Sequence, residues 1–267
     1  MELSPELLGA LWRGLSVALF VGAVVYVMDR APPFIGGIVL ALPMVVGPSY
    51  FFLGLQQDAA FLHQASLIAL GMIGAVLCFL TVYIRLIGHV SAPLSLFGAL
   101  TAWVVAAVTV RHLPLLWPVM LAFTAAAGLL AWLVNRRVVE LGFSDGARQP
   151  APAYDVLLRA ASAGLLVVLV TLLANRLGPL GSGLLASFPV ALSVICLFLL
   201  RRYSRQAARA ALASTQRGLV CHVVFFLSLL GLEAGLPAVT LGWRFLLAST
   251  ASAATATAVA LLTRRRA

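Results

Sequence analysis

The sequence predicts an all-α polytopic membrane protein of about nine transmembrane helices, built as two inverted four-helix repeats joined by one extra helix. Three observations predict it. The chain is 63% hydrophobic and 10% charged, with mean hydropathy +1.08. A soluble domain so apolar lacks the polar surface to cover itself, and the bilayer is the natural solvent. One stretch of the chain occurs twice. The arginines divide very unequally between alternate loops.

The duplicated stretch is RAPPFIGGIVLALP from Arg30 to Pro43 and RLGPLGSGLLASFP from Arg176 to Pro189. The offset of 146 residues holds without a gap from Leu11/Leu157 to Pro43/Pro189, and ten of those 33 positions are identical. They include Arg13/Arg159, Ser16/Ser162, Arg30/Arg176, Pro33/Pro179, Gly37/Gly183 and Pro43/Pro189. Apolar residues align by chance, whereas matched Arg, Ser, Gly and Pro do not, so the chain reads as an internal duplication.

In chain order, the first span is expected over residues 8–28. Gly14, Ala18 and Gly22 form a small face along it, read as close packing against another helix. The second, 34–55, contains Gly36, Gly37, Pro43, Gly47 and Pro48. Proline inside a helix removes a hydrogen bond and frees a carbonyl, which in lipid must find protein or water. A short polar loop, 56–64, leads to spans 66–86, 92–110 and 113–134. Residues 140–155 are rich in Gly, Pro and charge and read as a surface linker. The second half gives spans 156–174, 180–200, 218–235 and 239–262. Ala248, Ser252, Ala256 and Ala260 make a second small face. The division expected is a first repeat over residues 1–112, a linking helix over 113–137, a cytoplasmic linker over 138–155 and a second repeat over 156–267.

Five spans precede the second copy, so it enters the membrane from the opposite side, and the repeats are inverted. The arginines test this independently. Every one of the 18 basic residues is Arg. Assigning loops alternately to two sides gives fourteen on one and four on the other, the four being Arg13, Arg111, Arg176 and Arg244. The positive-inside rule makes the rich side cytoplasmic, with the N-terminus outside and the C-terminus inside. Residues 201–217, with five of these arginines, suit a short helix against anionic headgroups.

Other chemistry is largely excluded. Net charge is +10, but no polar domain is long enough to present a nucleic-acid patch. None of the eight acidic residues sits at the middle of a span, which argues against a carboxylate proton relay, paired-acid catalysis or a carboxylate-held metal. No HExxH, Walker-type loop or intact dinucleotide fingerprint occurs. Cys78, Cys196 and Cys221 lie in apolar runs without metal-ligand spacing and read as packing. Ser182 and His222 can be drawn as a Ser–His dyad, but Ser182 aligns with Gly36, so that position wants a small residue. No enzyme activity, cofactor or metal is expected.

The candidate substrate-binding residues are Arg30, Gly36, Gly37, Pro43, Arg176, Ser182, Gly183, Ser187, Pro189 and His222. Arg30 and Arg176 precede helices that begin after Pro33 and Pro179. A helix start carries free N–H groups and partial positive charge, and an arginine beside it makes an anion-attracting corner. Snorkelling to headgroup phosphates accounts for the same residues, and both readings stand. Arg244 reads as a snorkelling residue, and His222 as a packing or pore-facing group.

The second half resembles the GlpM-like family of small four-helix bacterial inner-membrane proteins. The residues that carry the resemblance are the run from Gly183 to Pro189, GLLASFP, the RQAARAALAST texture within 201–216, and Leu236-Pro237 before the last span. The first half shows the pattern more faintly from Gly37 to Pro43, where Leu42 replaces the Phe and QQDAAFLHQ replaces the basic loop. The resemblance implies a bacterial inner-membrane location and a link to exopolysaccharide production, with no catalytic residues. It also implies that this chain is a fused form of a small protein working as an antiparallel dimer.

The expected function is secondary transport, by alternating access, of a small or lipid-linked molecule, anions included. The alternative is a membrane scaffold or accessory protein for envelope polysaccharide assembly. Partners expected are membrane lipids, with anionic headgroups on the cytoplasmic side, and the substrate itself. Nucleic acid is not expected, and a homodimer is left open.

Overall fold

The computed structural model describes residues 5–30, 42–140, 153–202 and 204–264. They form α1 (Pro5–Arg30), α2 (Val46–Gly54), α3 (Ala59–Leu86), α4 (Ala92–His112) and α5 (Trp117–Glu140). There follow α6 (Ala153–Ala186), α7 (Val190–Arg202), α8 (Arg205–Gly218), α9 (Val220–Gly235) and α10 (Leu241–Arg264). No strand occurs among the described residues. Seven stretches, one of them α8 and α9 together, are helices long and apolar enough to cross a membrane. This is the architecture of a multi-pass membrane protein, since in lipid every backbone polar group must be satisfied within the segment.

Local signals set the ends. Asp58 accepts a hydrogen bond from the Phe61 N–H at 2.7 Å and caps α3. That cap starts the helix seven residues before the expected boundary at 66, so most of the expected polar loop is helical. Ser204 caps α8 through the Ala207 N–H. Leu219 keeps helical dihedral angles between α8 and α9. The basic segment is therefore helical, and its small face, including Ala208, Leu212 and Ala213, is buried. α5 runs on to Glu140, residues 141–152 lie outside the described residues, and α6 begins at Ala153. α6 joins the expected sixth span to the start of the seventh across a kink at Gly178 and Pro179.

α3 is the centre of the bundle, with 83% of its spanning window buried. It packs against α4, α5, α6 and α9. Two glycines let α5 approach: a Cβ at Gly71 would meet Met120 Sδ at 2.7 Å, and one at Gly74 would meet Phe123 Cε1 at 2.7 Å. Thr124 adds a 2.6 Å hydrogen bond to the Leu70 carbonyl. The linking helix is thus seated on the core.

α1 and the first part of α6, the helices that carry the matched stretches of the sequence, pack on each other. A Cβ at Gly14 would lie 2.7 Å from the Gly164 carbonyl oxygen, and one at Gly164 would lie 2.6 Å from the Gly14 oxygen. Gly14 also faces Val168, Ala18 faces Gly164, and Gly22 faces Ala160. Numbers rise along α1 as they fall along α6, so the helices are antiparallel. Two of these contacts exchange under the 146-residue offset, since 14 with 168 becomes 160 with 22, and 18 with 164 maps onto itself. The small face of α1 is therefore a close helix contact. Val17, Val21 and Val25 pack with Ala163 and Val167 beside it.

α3 and the α8–α9 run are likewise antiparallel. His63 meets Glu233, and fourteen residues further along α3 the Leu77 carbonyl accepts from Gln216. The small face of α10 packs on α9, where Ser252 donates to the Cys221 carbonyl at 2.9 Å. Large apolar side chains such as Trp12, Leu19, Phe97, Val105, Leu129, Leu157 and Leu165 stay exposed on the outer helices. That continuous apolar perimeter suits lipid.

Candidate functional site

The proline breaks come first, because proline donates no N–H and interrupts the ladder at a fixed place. At Pro43 the Met44 N–H reaches the Leu42 carbonyl at 2.8 Å, and the Gly47 N–H reaches the Pro43 carbonyl at 2.7 Å. At Pro189 the Val190 N–H reaches the Phe188 carbonyl at 2.8 Å, and the Ser193 N–H reaches the Pro189 carbonyl at 2.8 Å. These are the same two bonds, displaced by 146 residues. Both prolines are buried. A helix begins after each turn, α2 after the first and α7 after the second.

Both restarted helices are tied to α3 by a tyrosine hydroxyl. Tyr50 of α2 donates to the Ala65 carbonyl at 2.9 Å, and Tyr83 of α3 donates to the Cys196 carbonyl of α7 at 3.1 Å. Positions 50 and 196 are mates under the offset. Tyr50 also packs edge-on against Phe226 of α9, and Phe188 against Trp103 of α4.

Upstream of the second break, Gly178 has φ +64°, a left-handed conformation that glycine adopts without steric cost. It takes the chain out of the first helical segment, and Pro179 opens the next, where a missing N–H costs nothing. Arg176 is exposed just before this corner. In the first copy Gly36 and Gly37 lie outside the described residues. Arg30 ends α1, with its side chain also outside the described ones.

Gly183 is packed hard against α3: a Cβ there would lie 2.8 Å from Ile68 Cγ2 and 3.3 Å from the Ala65 oxygen. Ser182 beside it is fully buried, and its hydroxyl has no partner. Ser66, next to Ala65 on α3, is in the same condition. His222 Nδ1 on α9 is buried without a partner, and no hydrogen bond joins Ser182 to His222. Ser187 is half-buried and ends α6 through its N–H to the Gly183 carbonyl. The structure thus brings Gly183 and Ser182 to α3 and leaves His222 apart on α9. None of the expected site residues lines either of two well-formed cavities among the described residues.

One of those cavities, of about 230 Å³, lies where α2, α3, α9 and α10 end or begin. Gln57, Asp58, Glu233 and Arg244 supply its polar lining. His63 Nδ1 lies 2.9 Å from Glu233 Oε2, and Gln57 donates to Asn175 at 2.7 Å. Both bonds join the first half of the chain to the second. Arg244 donates to the Pro237 and Val239 carbonyls at 2.6 and 2.8 Å, so it closes the α9–α10 turn over this cavity. Sequence reasoning missed His63, Glu233, Gln57 and Asn175. No local signal marked them, because their meeting depends on the start of α3 lying beside the end of α9.

The twin arginines Arg13 and Arg159 have diverged. Arg159 grips the buried Asp155 with two bonds, 3.0 and 2.7 Å. The mate of Asp155 is Gly9, over which the Arg13 guanidinium lies instead, within reach of the Gln56 amide. Compared with known proteins, the chain matches no protein-family model, no curated protein and no solved structure.

Proposed function

We propose that the protein is a secondary transporter of the inverted-repeat kind. It moves a small or lipid-linked molecule, anions included, by alternating access between two related halves. Nine spans are counted when the two segments that carry Pro43 and Pro189, 34–55 and 180–200, are added to the seven long apolar helices, with α6 counted only as far as its kink at Gly178. The observation that carries this reading is the pair of identical backbone breaks at Pro43 and Pro189, set in repeats whose matched helices run antiparallel. Broken helices in corresponding positions of inverted halves mark the substrate pathway in transporters of this design. The unpartnered hydroxyls of Ser66 and Ser182 support it. A buried polar group without a partner costs about 1–3 kcal/mol, which a second conformation or a bound substrate would relieve.

A scaffold role is the second reading, favoured by the dry contact of Gly183 on Ile68. The GlpM resemblance leans the same way, toward exopolysaccharide assembly. Labelling separates the two. In membranes of known orientation, Ser187→Cys is treated with a membrane-impermeant maleimide from each face in turn. Alternating access is expected to give labelling from both faces. It should also give loss of labelling from one face only when His63→Cys and Glu233→Cys are cross-linked. A thiol at 187 that is inaccessible from both faces supports the scaffold and removes the transport reading.

A further inference from the structure

The second cavity is a groove of about 300 Å³ between α3, α5 and the α8–α9 junction. Ile73 and Leu77 form its floor, and Gly128 and Ala131 of α5 make it deep because they project so little. Its outer lip is exposed and apolar, with Val220 on one side and Trp132 on the other. Its end changes character: Asn135, Arg136, Gln216 and Arg217 line it there. No acidic residue lines the groove among the described residues. Arg136 lies over the Trp132 ring at 5.8 Å, the aromatic–cation pairing common at the headgroup level.

The buried amide chain at this end is incomplete. Asn135 donates to Gln216 at 3.0 Å, and Gln216 donates to Thr81 at 2.8 Å and to the Leu77 carbonyl at 3.3 Å. Asn135 is 2% exposed, yet its Oδ1 has no partner. It is an acceptor lacking a donor, on a side chain held by one bond to a Gln216 that two further bonds fix.

The geometry points to a binding site for an anionic glycerophospholipid with a hydroxyl-bearing headgroup, drawn from the surrounding bilayer. One acyl chain fills the apolar groove. The phosphate lies between Arg136 and Arg217, and a headgroup hydroxyl donates to Asn135 Oδ1. The occupant comes from the lipid phase because the groove opens between apolar lips, and it is anionic because both charges at its end are guanidinium groups. The site lies away from the proline breaks and stands whether or not the protein transports.

The test uses the full-length protein, purified, stripped of lipid and titrated with defined lipids under native mass spectrometry. Phosphatidylglycerol is expected to bind at least about tenfold more tightly than phosphatidylcholine and more tightly than phosphatidic acid, which lacks the headgroup hydroxyl. Arg136→Gln with Arg217→Gln, both at exposed positions, should bring phosphatidylglycerol down to the phosphatidylcholine level. Gly128→Leu should lower binding of all three lipids, since a side chain there enters the groove and meets only the end of Leu77. Soluble glycerol phosphate should not compete. Unchanged phosphatidylglycerol binding in the double arginine variant, equal binding of phosphatidylcholine, or competition by glycerol phosphate would overturn the assignment.

Discussion

The two proline breaks share a backbone and differ in what surrounds them. At Pro43 the following glycine, Gly47, has room: a Cβ there would meet Phe225 only at 3.8 Å. At Pro189 the equivalent residue is Ser193, whose hydroxyl bonds back to the Pro189 carbonyl at 2.7 Å. That bond satisfies the carbonyl a second time. The segment before the second break is wedged on α3 at Gly183, and α7 runs thirteen residues against the nine of α2. The turn is common to both, while side chains make the stretch after Pro43 looser than the stretch after Pro189. If the halves rock against each other, the looser stretch is where motion costs least, because fewer packed contacts must be broken.

Substitutions at close contacts sharpen this comparison with the largest effects. Gly14→Leu should separate α1 from α6, because its side chain meets the Gly164 backbone, which cannot turn aside. A loss of about 3 kcal/mol or more is expected, read as a lower midpoint of thermal unfolding in detergent and lower membrane abundance. Gly242→Leu, with nothing within 4 Å, is the control and should leave both unchanged.

Next come the two breaks themselves. Gly183→Ala should cost about 1–3 kcal/mol by pressing on Ile68, and Gly47→Ala should change stability by less than about 0.5 kcal/mol. Equal losses at the two sites, by the same unfolding measurement, would break the contrast between the close contact before Pro189 and the room after Pro43.

Tyr50→Phe and Tyr83→Phe each remove one buried hydrogen bond between a restarted helix and α3. Each should cost about 0.5–1.5 kcal/mol. The double variant should lose the sum, because the bonds sit on α3 at residue 65 and in Tyr83 itself, several turns apart. A small effect is also expected at the His63–Glu233 pair. Its side chains are 44% and 24% exposed, so Glu233→Gln should cost less than about 1 kcal/mol.

What was legible in the sequence was what is carried locally. Proline and glycine fix the breaks by their own backbone limits, so Pro43, Pro179 and Pro189 stood out without any knowledge of neighbours. The small face of Gly14, Ala18 and Gly22 announced a close contact, because only small residues let helices approach. The partner of that face was not legible, although it lies on α6, the helix whose residues match α1 at the 146-residue offset. The N-terminus of α3 was misplaced because Asp58 lies in a polar run that resembles a loop, whereas its carboxylate acts as a cap. The bonds His63–Glu233, Gln57–Asn175 and Gln216–Thr81 were invisible for a different reason. Each joins residues more than 100 positions apart, and nothing local marks either partner. The same holds for the groove beneath Asn135, which exists only once α5 and α9 lie on α3.

The inverted relation of the two halves is tested most directly by topology at matched points. Reporter domains are fused after Gln57, which follows the first broken segment, and after Ser204, which follows the second at almost the 146-residue offset. A reporter active only outside the cytoplasm and one active only inside it are used at both points. The inverted arrangement requires Gln57 to report outside and Ser204 to report inside. If both points report the same side, the halves are parallel, and the inverted-repeat account is contradicted.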